Sequence, residues 1–470
     1  MSLSYLPLWK QLTARGMTRG DLQEAIKASS ATIAKLGKDE PVSMEVIERI
    51  CETLNCEISD VISMHNDMGS SDSCRGSKTA NCQDLIISDG EGYIDEVWEI
   101  PTKANTTYLT HGIYRYIGKF PPQVPREVLR RYAKPGMTVV DPMCGSGTTL
   151  VEASVAGCNA IGFDVNPVSL MISEVVATQY HYDKLAALAS EISELMKKWT
   201  TDSIFFDPAS IPAKTKVSLG KSEIYFSEEA KEKCENILAW ISQIEEVPYR
   251  MFFHVALLAI LRRVSSANVK KINVTVDHDK KVKDVYQEYG KQLNKMLDAE
   301  KESAGAWGDT ELRVSQADAR KLPLDDESVD IVIIHPPYLS NTAFSEMTML
   351  QLAFLGIDHK QIWKKELKMR GSYLHETDGL RKYLIGWYRV LQEAFRVLKP
   401  GGICAIENGD GQIDYVRIPV GAITREYVQD IGFEIKTHAV HKMNNNTGWT
   451  LSHRMKDQHI IIMEKKNGNA

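Results

Sequence analysis

Residues 138–150 read TVVDPMCGSGTTL, a short β-branched run followed by an acid, a glycine-rich turn and the start of a helical pattern. Gly145 and Gly147 let the backbone adopt angles that other residues avoid, and the helix N-terminus beyond them presents free N–H groups. Such a turn suits a carboxylate or a phosphate. It lacks the lysine of a nucleoside-triphosphate loop and the third glycine of a dinucleotide loop, so it matches neither motif.

Three further strand patterns follow along the chain, at NAIGFD (159–164), LRVSQAD (312–318) and SVDIVII (328–334). They alternate with helical patterns, which predicts an α/β fold with a parallel or mostly parallel sheet. Asp141, Asp164 and Asp318 close three of these strands. Because ligands bind at the carboxyl edge of such sheets, the three acids outline one ligand site.

The fourth strand runs directly into IIHPPYLSN, residues 333–341. Proline has no N–H for a sheet ladder, so the strand must end there and leave His335, Pro336, Pro337 and Tyr338 at the same carboxyl edge. The carbonyl between two prolines has a fixed direction and accepts a hydrogen bond from an amine. The Tyr338 ring offers a face on which a planar ring system stacks.

These motifs, in this order, resemble those of the S-adenosylmethionine-dependent amino-methyltransferases of DNA, whose first motif is DPxxGSGTT and whose catalytic tetrapeptide ends in PPY. The resemblance implies a Rossmann-like methyltransferase sheet and double-stranded DNA as substrate, with base flipping. It also implies that His335, Pro336, Pro337 and Tyr338 receive the exocyclic amine. Whether that amine is N4 of cytosine or N6 of adenine stays open.

The same resemblance assigns the cofactor residues. Residues 110–136 are similar to the element that contacts the methionine part of S-adenosylmethionine in this family. Asp164 is implied to bind the ribose, and Asp318 the adenine amino group. The residues implied to surround the methionine end are Lys119, Phe120, Asp141, Gly145, Gly147 and Thr148.

His335 departs from the family pattern, which has Asp, Asn or Ser at that position. A neutral imidazole accepts one hydrogen bond and an imidazolium accepts none, so we expect His335 to act as a neutral acceptor. Two alternatives stay open: the Pro336 carbonyl does the work while His335 only packs, or the change weakens catalysis. Cys144, beside the glycines, is expected to be inert packing.

Residues 1–64 predict a small all-α unit. Thr18 is a candidate cap for the helix in GMTRGDLQEAI, and Ser29 or Ser30 for the helix in SSATIAKL. A third amphipathic helix presents Val46, Ile47, Ile50 and Leu54 on one face.

This N-terminal unit resembles the Cro and C1 class of helix-turn-helix domains. The resemblance points Ser30, Thr32 and Lys35 toward DNA. Residues 1–64 contain seven basic and nine acidic residues, however, so dimerisation or docking is the alternative to DNA binding, and a homodimer is one expected form of the protein.

Residues 65–83 are rich in Ser, Asn, Asp and Gly and are predicted to be a linker. Residues 84–470 form the predicted methyltransferase domain, with a helical insert at about 178–310. The insert and residues 356–384 are the candidates for DNA contact, although a solvated helix has a similar composition. The basic and aromatic residues of the second candidate include Lys364, Lys365, Lys368, Arg370, Tyr373 and Tyr383.

Composition sets the remaining expectations. The net charge of -6 means that nucleic acid must be held by a local basic patch. No apolar run is long enough for a membrane, and eight cysteines without a CxxC pair argue against zinc or disulfides, so a cytoplasmic protein without metal is expected. The sequence predicts a site-specific DNA methyltransferase of a restriction-modification or defence system, with a cognate restriction enzyme as partner. An RNA amino-methyltransferase and a regulator that only senses the cofactor are the alternatives.

Overall fold

The computed structural model divides the chain into two compact units, Met1–Lys78 and Thr79–Ala470. The division falls inside the predicted linker, of which residues 66–83 lie outside the described part of the chain. The structure describes residues 2–5, 8, 12, 15, 17–37, 40–58, 61–65, 85–89, 94–101, 104–201, 217–339, 343–367, 379–413, 416–442 and 457–466.

The first unit contains three described helices, α1 (Arg19–Ala25), α2 (Ser30–Leu36) and α3 (Met44–Leu54). Thr18 caps α1 in a reciprocal capping box, and Ser29 caps α2 by accepting the Thr32 N–H. The structure thus settles the choice between Ser29 and Ser30. The four residues predicted to share a face of α3 are all buried in the core of this unit.

The all-α expectation for this unit needs one correction. Strand β1 (Ser2–Ser4) pairs antiparallel with β2 (Ser63–His65), which joins the two ends of the helical unit. Strands of three residues are too short to show an alternating pattern, so they could not be predicted from the sequence. Helical spacing of apolar residues also predicts a helix in LWKQLTARG, residues 8–16, most of which lie outside the described residues.

The second unit contains a nine-stranded sheet in the part of the chain that the structure describes. The sheet strands are β3 (Ile86–Asp89), β4 (Glu96–Glu99), β5 (Thr138–Asp141), β6 (Asn159–Asp164), β7 (Leu312–Gln316), β8 (Val329–Ile334), β9 (Leu398–Gly409), β12 (Phe433–Lys442) and β13 (Asp457–Lys465). Their order in the sheet is β3-β4-β12-β13-β9-β8-β5-β6-β7. Five strand pairs are parallel, and the β3–β4, β12–β13 and β13–β9 pairs are antiparallel. A separate hairpin joins β10 (Gly411–Ile413) to β11 (Val416–Ile418).

Helices cover both faces of the sheet because successive strand residues point in opposite directions. Val139 and Ile331 contribute to one hydrophobic core, while Val140 and Val332 contribute to the other. Helices α14 (Gly379–Val397) and α15 (Val420–Ile431) cover the second face. The remaining helices are α4 (Gln123–Tyr132), α5 (Thr148–Val155), α6 (Pro167–Ala177), α7 (Tyr182–Thr201), α8 (Glu228–Ile241), α9 (Val247–Ile260), α10 (Val285–Ser303), α11 (Phe344–Met347), α12 (Met349–Phe354) and α13 (His359–Trp363).

The predicted insert is helical, as α7 to α10 show, but it has no core of its own. Its buried residues belong to the same hydrophobic cluster as the first face of the sheet. The Gln292 side chain of α10 donates to the Ile113 carbonyl at 2.8 Å, which ties the insert to the segment before the glycine turn. None of the described helices is long and apolar enough to span a membrane.

Strand β5 lies between β8 and β6, so the chain leaves β5 toward one side of the sheet and later returns to its other side. This reversal opens a crevice at the carboxyl ends of the central strands. Asp141 and Asp164 end β5 and β6, and His335 follows β8 directly. The fold therefore brings the residues singled out in the sequence to one edge.

Candidate active site

The glycine turn after β5 is held by its neighbours. The Cys144 N–H donates to the Phe163 carbonyl at 2.9 Å. Gly145 and Gly147 both have positive φ, of 50° and 78°. A Cβ on Gly147 would lie 2.8 Å from the Ser173 Cα atom of α6, so a side chain there meets both backbone strain and a clash. The turn can follow this path only with glycine.

Two carboxyl groups organise this turn, of which Asp141 is buried and Asp164 is half-buried. Asp164 accepts the Gly145 N–H at 3.1 Å on one oxygen and the Asn166 N–H at 2.8 Å on the other. Asp141 accepts the Met143 N–H at 3.0 Å. Burial raises the pKa of Asp141 to about 7 and that of Asp164 to about 6, because a charged carboxylate loses solvation there. A cationic or hydroxyl-bearing ligand would therefore meet acids whose protonation changes near neutral pH.

Asp318 lies two residues beyond β7 and is engaged by its own neighbour. The Arg320 guanidinium donates to both carboxylate oxygens, at 2.8 and 2.5 Å. Partial burial acts to raise the pKa of Asp318, but the hydrogen bonds and charge of Arg320 keep it below the usual value. The carboxylate is therefore ionised and already paired, an arrangement that the sequence did not predict.

The three acids line one cavity of about 870 Å³, counted out to its open mouth. Of the cofactor residues predicted, all but Gly147 line it: Lys119, Phe120, Asp141, Gly145, Thr148, Asp164 and Asp318. The Thr148 hydroxyl is buried and has no partner among the described residues. An acidic, partly apolar cavity with an unsatisfied hydroxyl fits a ligand that carries an ammonium group, hydroxyl groups and a flat ring.

Lys119 is one of three cations that line this cavity, together with Arg320 and Lys365. Its Nζ atom donates to the His111 carbonyl at 2.5 Å. Burial lowers the pKa of Lys119 to about 7, against the opposing attraction of Glu152. A ligand carboxylate beside Nζ would favour the charged form.

His335 and Pro337 of the HPPY tetrapeptide line the cavity, whereas the side chains of Pro336 and Tyr338 are buried next to them in the chain. The His335 ring stacks on Phe120, with centroids 4.8 Å apart and planes inclined by 5°. The Tyr338 side chain is only 7% exposed. The expectation that its ring presents an open face for stacking is therefore wrong.

A hydrogen bond of 2.8 Å joins the His335 Nε2 atom to the Tyr338 hydroxyl. Burial lowers the pKa of His335, which favours the neutral ring. If Nε2 donates to Tyr338, then Nδ1 carries the lone pair and is an acceptor. If Tyr338 donates instead, Nδ1 carries the proton. Acceptor function toward the cavity therefore requires the Nε2–H tautomer.

Residues of one helix and two strands act on the tetrapeptide. The Tyr383 hydroxyl donates to the Pro337 carbonyl at 3.3 Å. Tyr383 was predicted to face nucleic acid, and that reading is wrong because its side chain is buried under the tetrapeptide. On β9 and β12, Glu407 and His441 form a buried pair at 2.8 Å, and the charge of Glu407 opposes the lowering of the His335 pKa.

A second buried network was missed from the sequence. Glu152 of α5 accepts hydrogen bonds from the Tyr108 hydroxyl at 2.6 Å and from Arg126 at 2.7 Å, and it pairs with His111 at 2.7 Å. These contacts lock the segment that carries Lys119 and Phe120 onto the helix after the glycine turn. The available signal was an acid within a helix of otherwise small and apolar residues.

The residues predicted to contact DNA have different surroundings. In the first unit, Ser30 and Lys35 are exposed and Thr32 is partly exposed, hydrogen-bonded to Ser29 at 3.0 Å. In the second unit, Lys364 and Lys365 are exposed, and Lys365 lies at the rim of the cavity. Lys368 and Arg370, together with Tyr373, lie outside the described residues.

Comparison with protein families gives two matches. Residues 7–67 match the Cro/C1-type helix-turn-helix DNA-binding domain, and residues 60–175 match the DNA methylase family. The chain carries a helix-turn-helix domain and a DNA methylase domain. The second match contains the 110–136 segment, the glycine turn and Asp164, so the family resemblance seen in the sequence is confirmed where these residues lie.

Curated relatives of the methylase domain are named Type II methyltransferases. M.MjaII of Methanocaldococcus jannaschii is 34% identical over 23% of this chain and 20% of its own length. M.MvaI of Kocuria varians is 26% identical over 54% of this chain and 59% of its own length, so the chain spans less than two thirds of either protein. M.BsoBI of Geobacillus stearothermophilus is 22% identical over 73% of this chain and 83% of its own length.

The Glu152 network predicts a large loss of stability on mutation. Glu152→Gln leaves Arg126 and His111 without the buried carboxylate that they contact. We therefore expect the free energy of unfolding of the second unit to fall by about 3–5 kcal/mol. Chemical denaturation followed by tryptophan fluorescence measures the change. Glu194→Gln, which breaks an exposed pair with Lys197, is the matched control and should leave the midpoint unchanged. Equal midpoints for the two variants would contradict the structural role of Glu152.

Proposed function

We propose that the chain is an S-adenosylmethionine-dependent DNA methyltransferase that modifies an exocyclic base amine, N4 of cytosine or N6 of adenine. The observation that carries this proposal is that three acids, the glycine turn and His335 and Pro337 of the HPPY tetrapeptide line one cavity. The match to the DNA methylase family and the Type II methyltransferase relatives support it.

The residues present fit this cofactor. S-adenosylmethionine supplies a methyl group on a positively charged sulfur, which becomes a neutral thioether when the methyl leaves. Asp141 and Lys119 suit its ammonium and carboxylate groups, and the unpartnered Thr148 hydroxyl lies beside them in the same cavity. Asp164 suits the ribose hydroxyls. Asp318 keeps its charge through Arg320 and suits the adenine amino group.

The tetrapeptide must make the base amine a better nucleophile, since its lone pair is delocalised into the ring. In our proposal the amine donates hydrogen bonds to the Pro336 carbonyl and to Nδ1 of neutral His335. These fixed acceptors return electron density to the nitrogen as the new carbon–nitrogen bond forms, and the nitrogen then releases one of its protons to solvent. Phe120 and Tyr338 hold the imidazole in place through the stack and the hydrogen bond already described.

The helix-turn-helix domain supplies a second DNA contact in this proposal, through Ser30, Thr32 and Lys35. The Type II names of the relatives support a restriction-modification setting with a cognate restriction enzyme. A homodimer would let two such domains bind a symmetric site.

The deciding experiment combines the purified chain, S-adenosylmethionine labelled in its methyl group, and plasmid DNA, followed by digestion to nucleosides and chromatography. We expect label in N4-methylcytosine or N6-methyladenine, which names the base. Label that appears only when RNA replaces DNA would move the substrate to RNA. Cofactor binding without transfer to either would mean a sensing regulator.

Cofactor affinity is predicted to depend on pH with a maximum near 7. Asp164 and Asp141 bind best when ionised, and their pKa values are raised. Cofactor affinity should therefore fall as pH drops through 7 to 6, by up to about tenfold per pH unit for each carboxylate that becomes protonated. Lys119, with a pKa of about 7, loses its charge as pH rises and so weakens binding on the alkaline side. Titration calorimetry from pH 5 to 9 measures both limbs.

Variants separate the two limbs of this profile. Asp164→Asn should weaken binding and flatten the acid limb, and Lys119→Met should flatten the alkaline limb. Asp183→Asn, at an exposed position on α7, should reproduce the wild-type profile. A profile for wild type that is flat across this range would contradict the assignment of these groups to the cofactor.

The role of His335 predicts a second pH effect, on the rate at saturating cofactor and DNA. Because its pKa is lowered, the neutral ring persists below the usual histidine range, and kcat should fall only at acidic pH. His335→Asn keeps an oxygen acceptor and should lose this acid limb while retaining activity. His335→Ala should lower kcat by about 10²-fold. If His335→Ala matches wild type, the imidazole only packs and the Pro336 carbonyl carries the acceptor role.

A further inference from the structure

A broad groove opens beside the cofactor cavity, between the insert and the segment that carries Lys119. Its volume is about 2100 Å³, counted out to open solvent. Tyr116, Gly118 and Phe344 line both the groove and the cavity, so the two spaces are neighbours. The Tyr116 and Phe344 rings stack between them, with centroids 5.6 Å apart.

The groove is strongly basic. Nine of its 21 lining residues are Lys or Arg, and no Asp or Glu lines it, in a chain whose net charge is -6. Such a concentration of charge against the overall balance is not a result of composition. It is the local basic patch that a chain of this charge needs in order to hold a polyanion.

The inner cations of the groove build its wall. Lys280 donates to the carbonyls of Ser265 and Ala267, at 2.6 and 2.7 Å. Arg262 donates to the carbonyls of Ile272 and Met347, at 2.7 and 3.0 Å. These bonds fix the loop between α9 and α10 against α11, so the side chains that the loop presents have defined positions.

The outer cations of the groove are exposed, three of them on this loop, and the described contacts give them no acidic partner. They are Arg115, Lys270, Lys271, Lys281 and Lys295. Partial burial and the nearby Arg263 both lower the pKa of Lys295, as expected where like charges crowd together. An anion in the groove would relieve this crowding.

We infer that this groove holds the phosphate backbone of the DNA beside the target base, and that the insert is therefore a DNA-positioning element. The inference rests on the proposed function for its ligand. Lysines on a rigid wall match phosphates as point charges and carry no base readout. The adjoining cavity places the HPPY tetrapeptide where a base extruded from that strand would arrive.

The test compares two charge reversals of equal size in the full chain. Lys271→Glu with Lys281→Glu changes the groove, and Lys221→Glu with Lys301→Glu changes exposed lysines of the insert that do not line it. Both pairs are made in a chain that also carries Lys35→Glu, to weaken binding by the helix-turn-helix domain. Fluorescence anisotropy with a labelled duplex of about 30 base pairs gives Kd over a series of salt concentrations.

We expect the groove pair to weaken DNA binding at least about tenfold near 0.1 M salt and to reduce the slope of log K against log salt by about two. The control pair should change neither quantity. Cofactor binding should be equal in both pairs, which shows that the groove variant is folded. Equal loss in both pairs, or no loss in the groove pair, would overturn the inference.

The outcomes separate this inference from the proposed function. If wild type transfers no methyl group but the groove pair alone loses DNA affinity, the groove assignment stands and the proposed reaction fails. If methyl transfer to DNA is observed while both pairs bind DNA alike, the reaction stands and the groove assignment is wrong.

Discussion

The site depends on one carboxyl group, that of Asp164 at the end of β6. Asp164 accepts the Gly145 N–H from the turn after β5 and the Asn166 N–H at the start of α6. These two bonds tie together two adjacent strand ends and the helix that follows. The same group faces the cavity, so one side chain both shapes the glycine turn and meets the ligand. Burial raises its pKa to about 6, because the carboxylate loses hydrating water in this position, while the hydrogen bonds that hold the turn act in the opposite direction.

Around this centre the protein uses three separate supports. Glu152 fixes the segment with Lys119 and Phe120, Tyr383 fixes the Pro337 carbonyl, and Arg320 holds the Asp318 carboxylate. Each support lies on a different element, so the cavity walls are positioned independently of one another. Catalytic sites that rely on fixed acceptors need this kind of rigidity, because a misplaced acceptor no longer strengthens as the bond forms.

Features set by residues close together in the sequence could be predicted, whereas contacts between residues far apart in the sequence could not. The capping of α1 and α2, the glycine turn and the end of β8 were predictable, since each is set by residues within a few positions of one another. The contact of Glu152 with His111 spans 41 residues and that of Tyr383 with Pro337 spans 46, and no local pattern reports such pairings. The burial of Tyr338 likewise depends on what packs over it. The length of the insert was readable, whereas its shared core required the tertiary contacts.

That shared core limits how this protein can vary. Phe252, Phe253 and Leu257 of α9 are fully buried in the cluster that also contains strand residues of the sheet. Burial of each such side chain stabilises the folded state by about 1.5–3 kcal/mol, so the helices of the insert stabilise the sheet as well as the groove. Replacing these helices with those of another protein would therefore disrupt the core that they share with the sheet. We expect substitutions to accumulate at exposed loop residues such as those of 262–283, while the buried residues of the helices beneath them stay constant.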